Sequence, residues 1–201
     1  MTAEARREVI ERAAAEVFAE RGYHGASIDE ICRRSGVTAP VLYDHFESKL
    51  ALHRRLLERT RDELLEMWRT HLAGDEPAEE RIPRAIDAWA AYVQAHPYAP
   101  RMFFTETTGD PEVEAIHRQV QMQATAALGV IVGREAARAP AAANLPAEMA
   151  AEIMRSGLAG LAIWWSHHPE VPREEIVATA LDVLWVGLER VRQGERWNPR
   201  D

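Results

Sequence analysis

Five side chains that carry hydrogen-bond donors, Ser27, Thr38, Tyr43, His45 and Lys49, fall in one short stretch, near helix starts or on one flank. Hydroxyl, phenol, imidazole and ammonium groups gathered in this way suit one kind of chemistry, the gripping of phosphates on either side of a groove. Arg33 and Arg34 lie between them, where they either add long-range attraction or form a solvated face.

Catalytic patterns are missing from the sequence: it holds no HExxH pair, nucleophile elbow or phosphate loop. His96, His117, His167 and His168 could be imagined around a metal, but His167 and His168 are adjacent, and neighbours on a helix point about 100° apart. An enzyme is not expected, nor any cofactor or metal.

The elements that position the donors follow from periodicity. Apolar residues recur at spacings of three and four while strand-type alternation is nearly absent, so the fold class is all-α with about nine helices. Val9, Ile10, Ala13, Ala14, Val17 and Phe18 form one stripe of a first helix, about residues 3–21, which Gly22 ends with a left-handed residue. Ser27-Ile28-Asp29-Glu30 reads as a capping box, with Ser27 accepting from the Glu30 amide and the Glu30 side chain reaching back. The second helix runs to about Ser35, because Gly36 permits a tight turn, Thr38 is a new N-cap and Pro40 is tolerated in a first turn. A third helix of about seven residues follows. A long fourth, capped by Ser48, then continues through Leu56, Leu57, Leu64, Leu65 and Trp68. Prolines from Pro77 to Pro172 punctuate five further helices. The Ala-rich stretch 136–143 reads as a mobile connection, and the tail after Gln193, with Trp197 and Pro199, as frayed.

Two short helices about a Gly36 turn have the proportions of a helix-turn-helix, whose second helix enters the major groove. Ile28, Ile31, Val37, Leu42 and Phe46 are spaced to face inward with Val17 and Phe18, leaving Tyr43, Asp44 and His45 outside. The net charge of −8 does not oppose this. Residues 1–55 hold nine basic and nine acidic side chains, so the other 15 basic and 23 acidic residues supply the whole excess. Cys32 is the single cysteine, which excludes an intrachain disulfide and fits small core packing better than redox chemistry. With no leader-like segment and no apolar run of about 18 residues, the expected place is the cytoplasm, with no membrane partner.

The stretch 18–52, FAERGYHGASIDEICRRSGVTAPVLYDHFESKLAL, resembles the signature of TetR-family transcriptional regulators. Its diagnostic parts are Phe18, Gly22-Tyr23, Ser27-Ile28, Ile31, Gly36-Val37-Thr38, Leu42-Tyr43, His45-Phe46 and Ser48-Lys49. The resemblance implies a helical fold whose first three helices bind DNA and whose remainder forms a ligand pocket and dimer interface. The expected domains are thus a head, 1–48, and a body, 49–201. By position Ser27, Thr38, Tyr43, His45 and Lys49 become phosphate anchors, with Thr38, Ala39, Val41 and Asp44 nearest the base edges. Cys32 replaces the family's usual Ala, and Pro40 stands where Gly is frequent. Because Ala39, Pro40 and Val41 lack hydrogen-bonding side chains, sequence readout leans on thymine methyls and DNA shape.

In the body, Trp89, Tyr92, Met102, Phe103 and Trp164 have the bulk to line an apolar ligand cavity, with Glu106, His117 and Gln121 as polar candidates. The last two helices, about 146–168 and 172–193, carry Leu158, Leu161, Trp165, Leu181, Leu184, Trp185 and Leu188 beside small residues, a pattern suited to a four-helix homodimer interface. The expected partners are therefore a double-stranded DNA operator, a small-molecule effector and a second copy of the chain. The function expected is repression from a palindromic operator, released by an apolar ligand. The alternatives are activation by the same fold, or a helical adaptor or sensor acting through protein partners.

Overall fold

The computed structural model describes residues 2–104, 110–139, 142 and 145–193. Among them are nine helices and no strand. The helices are α1 (Ala3–Gly25), α2 (Ile28–Ser35), α3 (Ala39–Tyr43), α4 (Lys49–Leu72), α5 (Ala78–Ala95), α6 (Ala99–Phe104), α7 (Pro111–Ala137), α8 (Ala147–Ser166) and α9, residues 173–192. The last is an α-helix (Arg173–Ala180) that passes through a π-helical turn (Leu181–Trp185) into a final α-helical segment (Val186–Arg192).

Local chemistry explains most of the boundaries. The Thr2 hydroxyl accepts from the Ala5 amide at 3.2 Å to open α1, and of the predicted stripe Ile10, Ala13, Ala14, Val17 and Phe18 are buried and Val9 is half-buried. Ser27 and Ser48 cap α2 and α4, accepting from the amides of Glu30 at 3.2 Å and Ala51 at 3.0 Å. Asp110 accepts from the amides of Glu112 and Val113, and Pro111 fills the first turn of α7, where its missing N–H costs nothing.

Three local expectations are corrected. Gly22 does take a positive φ, 68°, but with ψ 174° it is not left-handed helical, and a further turn carries α1 to Gly25. The capping box is half formed: Ser27 accepts as expected, while the Glu30 carboxylate is drawn to Arg33 and Arg34 instead of reaching back. Helix α3 stops at Tyr43, shorter than seven residues, because the His45 and Phe46 amides both turn back to the Leu42 carbonyl.

Gly36 sits at φ 67° and ψ 25°, the left-handed cap that turns α2 into α3. A Cβ at either Gly22 or Gly36 would meet nothing within 4 Å, so the cost of alanine there is backbone strain alone. Left-handed helical space costs an L-residue about 1–2 kcal/mol, whereas the region occupied by Gly22 is essentially closed to side chains. Chemical denaturation should therefore show Gly22→Ala to be more destabilising than Gly36→Ala, about 2–3 against about 1 kcal/mol.

The chain packs as two compact units. One comprises the described residues among 1–62 and 96–121 and the other those among 63–95 and 122–193. In the first unit α1 packs on α2 and α6, and Ile10, Val17, Ile31, Leu42, Leu52 and Leu57 are fully buried. The second is built around Trp89, with Trp68, Ile86, Leu128, Leu158, Ala162, Trp165 and Ile176 in one core. Each large side chain withdrawn from water contributes roughly 1.5–3 kcal/mol. The stretch 136–143, expected to be mobile, contributes Ala136, Ala139 and Ala142 to a small buried cluster with Leu145 and Val191. Trp197 and Pro199 lie outside the described residues. Among those described, no helix is long and apolar enough to cross a membrane.

Candidate nucleic-acid interface

The turn between α2 and α3 sorts side chains by face. Leu42 points into the core and Phe46 closes the underside, while Tyr43 is 50% exposed one residue further on. Thr38 is exposed at the N-cap of α3 and makes no capping bond with its hydroxyl, so that group is available to an outside acceptor. The Ser27 hydroxyl accepts one amide and keeps its own proton to donate. His45 is half-buried, its ring 6.4 Å from that of Phe46, and Ala39 and Val41 are half-buried on the same short helix.

Lys49 has internal partners as well. Its ammonium donates to the carbonyls of Tyr23 at 2.9 Å and Ala26 at 3.0 Å and sits 4.4 Å from the centre of the Tyr23 ring. It therefore ties the turn ahead of Ser27 to the start of α4, with one N–H left over, and burial lowers its pKa. Arg33 and Arg34 are not free cations. Both bind Glu30, and Arg34 also grips Glu20 with two bonds of 2.7 and 2.6 Å. The bonds from Arg33 and then Arg34 hold the Glu30 carboxyl down at about 2. The basic character of α2 is thereby neutralised within the head.

A buried histidine pair lies in the same unit. His53 of α4 and His117 of α7 meet through their Nε2 atoms at 2.9 Å, and the edge of Phe18 closes on His53 at 4.7 Å. Among the described residues, His53 Nδ1 is buried with no hydrogen-bond partner. Burial, then the neighbouring His117 and Lys49, push the His53 pKa down to about 3, so the His53 ring is held neutral.

The ligand candidates do not converge. Trp89 is in the core of the second unit, and there the Tyr92 hydroxyl donates to Glu63 at 2.8 Å. Trp164 is exposed and stacks on His168, the rings 4.0 Å apart. Met102 and Phe103 are buried in the first unit, where Gln121 donates to the Phe103 carbonyl and His117 pairs with His53. Glu106 lies outside the described residues. None of the described candidates lines the apolar cavity of the second unit. Its walls include Trp68 and Leu72 of α4, Leu128 and Val132 of α7, Met154 of α8, and Trp185 and Leu188 of α9. Among the described residues Glu135 is the one ionisable group on the wall, and it is balanced by the buried Arg81, which donates to it at 3.0 and 2.8 Å and also binds the Leu72 carbonyl at the end of α4.

The dimer candidates divide similarly. Leu158 and Trp165 are buried in their own chain, Leu161, Leu181 and Leu184 pack partly against the same core, and Trp185 and Leu188 face the cavity. The large apolar side chains left exposed on these helices are Met149, Ile153 and Trp164 on α8 and Val183 and Val186 on α9. Met149, Ile153, Gly157, Gly160 and Trp164, spaced by three and four, carry the signal that would have located the exposed face.

Among the described residues, all helical, an N-terminal helix-turn-helix that leaves donors outward around an apolar underside has the layout of a DNA-reading head. Residues 10–56 match the family model of bacterial regulatory proteins, tetR family. The HTH-type transcriptional activator FasR of Mycolicibacterium smegmatis is 29% identical over 185 residues, 89% of this chain and 81% of that protein. Two solved structures share the fold. The fatty acid degradation regulator FadR from Bacillus halodurans has a TM-score of 0.76 at 17% identity, covering 94% of this chain and 99% of that one. The transcriptional regulator FadR from Bacillus subtilis in complex with stearoyl-CoA has a TM-score of 0.71 at 18% identity and the same coverages, 94% and 99%. Over residues 10–56 the chain is thus similar to bacterial regulatory proteins of the tetR family, and over most of its length it shares the fold of the two solved regulators.

Proposed function

We propose that residues 1–48 act as the reading head and 49–201 as a body that binds an effector and a second copy of the chain, so that a two-fold dimer occupies an operator. The observation that carries this is the α2–Gly36–α3 turn, with Thr38 and Tyr43 outward above the buried Leu42. Ser27, Thr38, Tyr43, His45 and the remaining N–H of Lys49 take phosphates, while Thr38, Ala39 and Val41 lie against base edges. One head this small contacts too few phosphates for useful affinity, and a two-fold dimer doubles them. The dimer face is the exposed strip of Met149, Ile153, Trp164, Val183 and Val186, in place of the inward-facing Leu158 and Trp165.

The effector is mostly apolar and occupies the cavity, whose walls are apolar apart from the Arg81-bound Glu135. A long acyl chain fits such walls, and stearoyl-CoA, bound in the Bacillus subtilis relative, is the natural probe. Filling the cavity displaces Trp68 and Leu72, which belong to the helix that begins at Lys49, and shifts the population of heads able to span two half-sites. Whether release means derepression or loss of activation depends on where the operator lies relative to the promoter. The protein works in the cytoplasm, where its DNA is.

Selection from a random pool of duplexes should return a site with two related halves about 10 base pairs apart, and stearoyl-CoA should weaken binding to it. A pool in which no sequence is enriched would overturn this function.

A further inference from the structure

We infer that Arg7 and Arg55, gathered around the buried carboxylate of Glu11, form a second phosphate-binding patch beside the recognition helix, outside the helix-turn-helix; this rests on the reading of the chain as a DNA-binding regulator. Glu11 is almost wholly enclosed, its side chain 4% exposed, yet three arginines converge on it. The shortest contact, 2.8 Å, goes to Arg59. Arg7 and Arg55 meet the same carboxylate through Nε alone, at 3.2 and 3.4 Å, with side chains 46% and 43% exposed.

One carboxylate cannot neutralise Arg7 and Arg55 together, and among the described residues Glu11 is the one acid within ion-pair distance of either. An arginine held through Nε keeps its two-nitrogen fork for another acceptor, and that fork matches a phosphate better than a lysine does. Arg7 is also fixed by the Phe46 ring, 5.3 Å from its guanidinium carbon. Phe46 directly follows His45, so the patch flanks the end of α3. Arg33 and Arg34 of α2 are matched by Glu30 and Glu20, whereas Arg7 and Arg55 share one carboxylate, that of Glu11.

The full-length protein is titrated with a mixed-sequence duplex over a range of KCl concentrations. Arg7→Gln and Arg55→Gln should each lower the log–log salt slope by about 0.9 and weaken binding about threefold to tenfold for every sequence. Arg7→Lys and Arg55→Lys should keep the slope. Arg84→Gln, which removes the same unit of charge from α5, should leave it unchanged. An unaltered slope in both glutamine variants, or an equal fall in Arg84→Gln, overturns the patch while leaving the regulator standing; wild-type protein that binds no duplex overturns both. If the glutamine variants do not fold, phenylglyoxal labelling of the wild type decides. Bound duplex should shield Arg7 and Arg55, and equal labelling with and without DNA overturns the assignment.

Discussion

Arginine in place of Val183 and Val186 is expected to leave a folded monomer that binds its operator at least a hundredfold more weakly. Val183 is 71% exposed and Val186 50% exposed on a single chain. Surface substitutions of that kind usually change stability by less than about 0.5 kcal/mol, so a loss of assembly cannot be ascribed to unfolding. A stable protein interface buries about 1,200–2,000 Å², and two charges carried by each copy into its apolar centre would be left without partners. The fall in DNA affinity follows from losing one head and its phosphate contacts. Sedimentation velocity and operator titration of the double variant test it together. A variant that stays dimeric with unchanged affinity would move the interface elsewhere. The π-helical turn at Leu181–Trp185 rotates this face relative to a regular helix, and such turns are frequent at functional sites.

The second large effect is acid lability governed by the His53–His117 pair. An unperturbed histidine titrates near 6.5, while His53 in the folded chain is held neutral down to about 3. Between these values the unfolded state binds more protons than the folded one, so stability is intact above pH 6.5 and falls as the pH drops, levelling off near 3. The loss is about 1.4 kcal/mol for each pH unit crossed. Glu30 and Glu152, both held down at about 2 by arginine bonds, act in the same direction, but only below the ordinary carboxylate range. The interval from pH 6.5 to about 5 therefore belongs to histidine. Urea unfolding across that interval should show the decline in wild type and a shallower one in His53→Leu. Equal slopes in the two proteins would mean that His53 is not held neutral.

How much was visible in the sequence varies with the range of the interaction. Capping by Ser27 and Ser48, the turn at Gly36 and the inward stripe of α1 are local, and composition with spacing sufficed to find them. The outward position of Tyr43 beside the buried Leu42 was legible for the same reason. The partners of Glu30 were not: a capping box and an i,i+4 ion pair compete for one carboxylate, and two arginines prevailed. Lys49 could be seen as a donor, but its bonds to the Tyr23 and Ala26 carbonyls depend on how a distant turn folds back. The body was the least legible part, because bulk alone does not separate a cavity wall from a core. Trp89 fills the interior while Trp185 borders the cavity, and nothing in either residue's neighbours along the chain distinguishes them. Glu11 drew no notice for a related reason, since its three arginines come together only when α1 meets α4.

The most direct test of the central claim is the salt dependence of binding to the selected duplex, measured for wild type, Thr38→Val and Tyr43→Phe. Specific recognition by the α2–α3 turn predicts a log–log slope near −0.9 for each phosphate neutralised. It also predicts a loss on the order of three- to tenfold in each variant, as one backbone contact is removed at a time. A flat salt profile, or affinities indifferent to both Thr38 and Tyr43, would contradict the assignment of this turn as the surface that reads DNA.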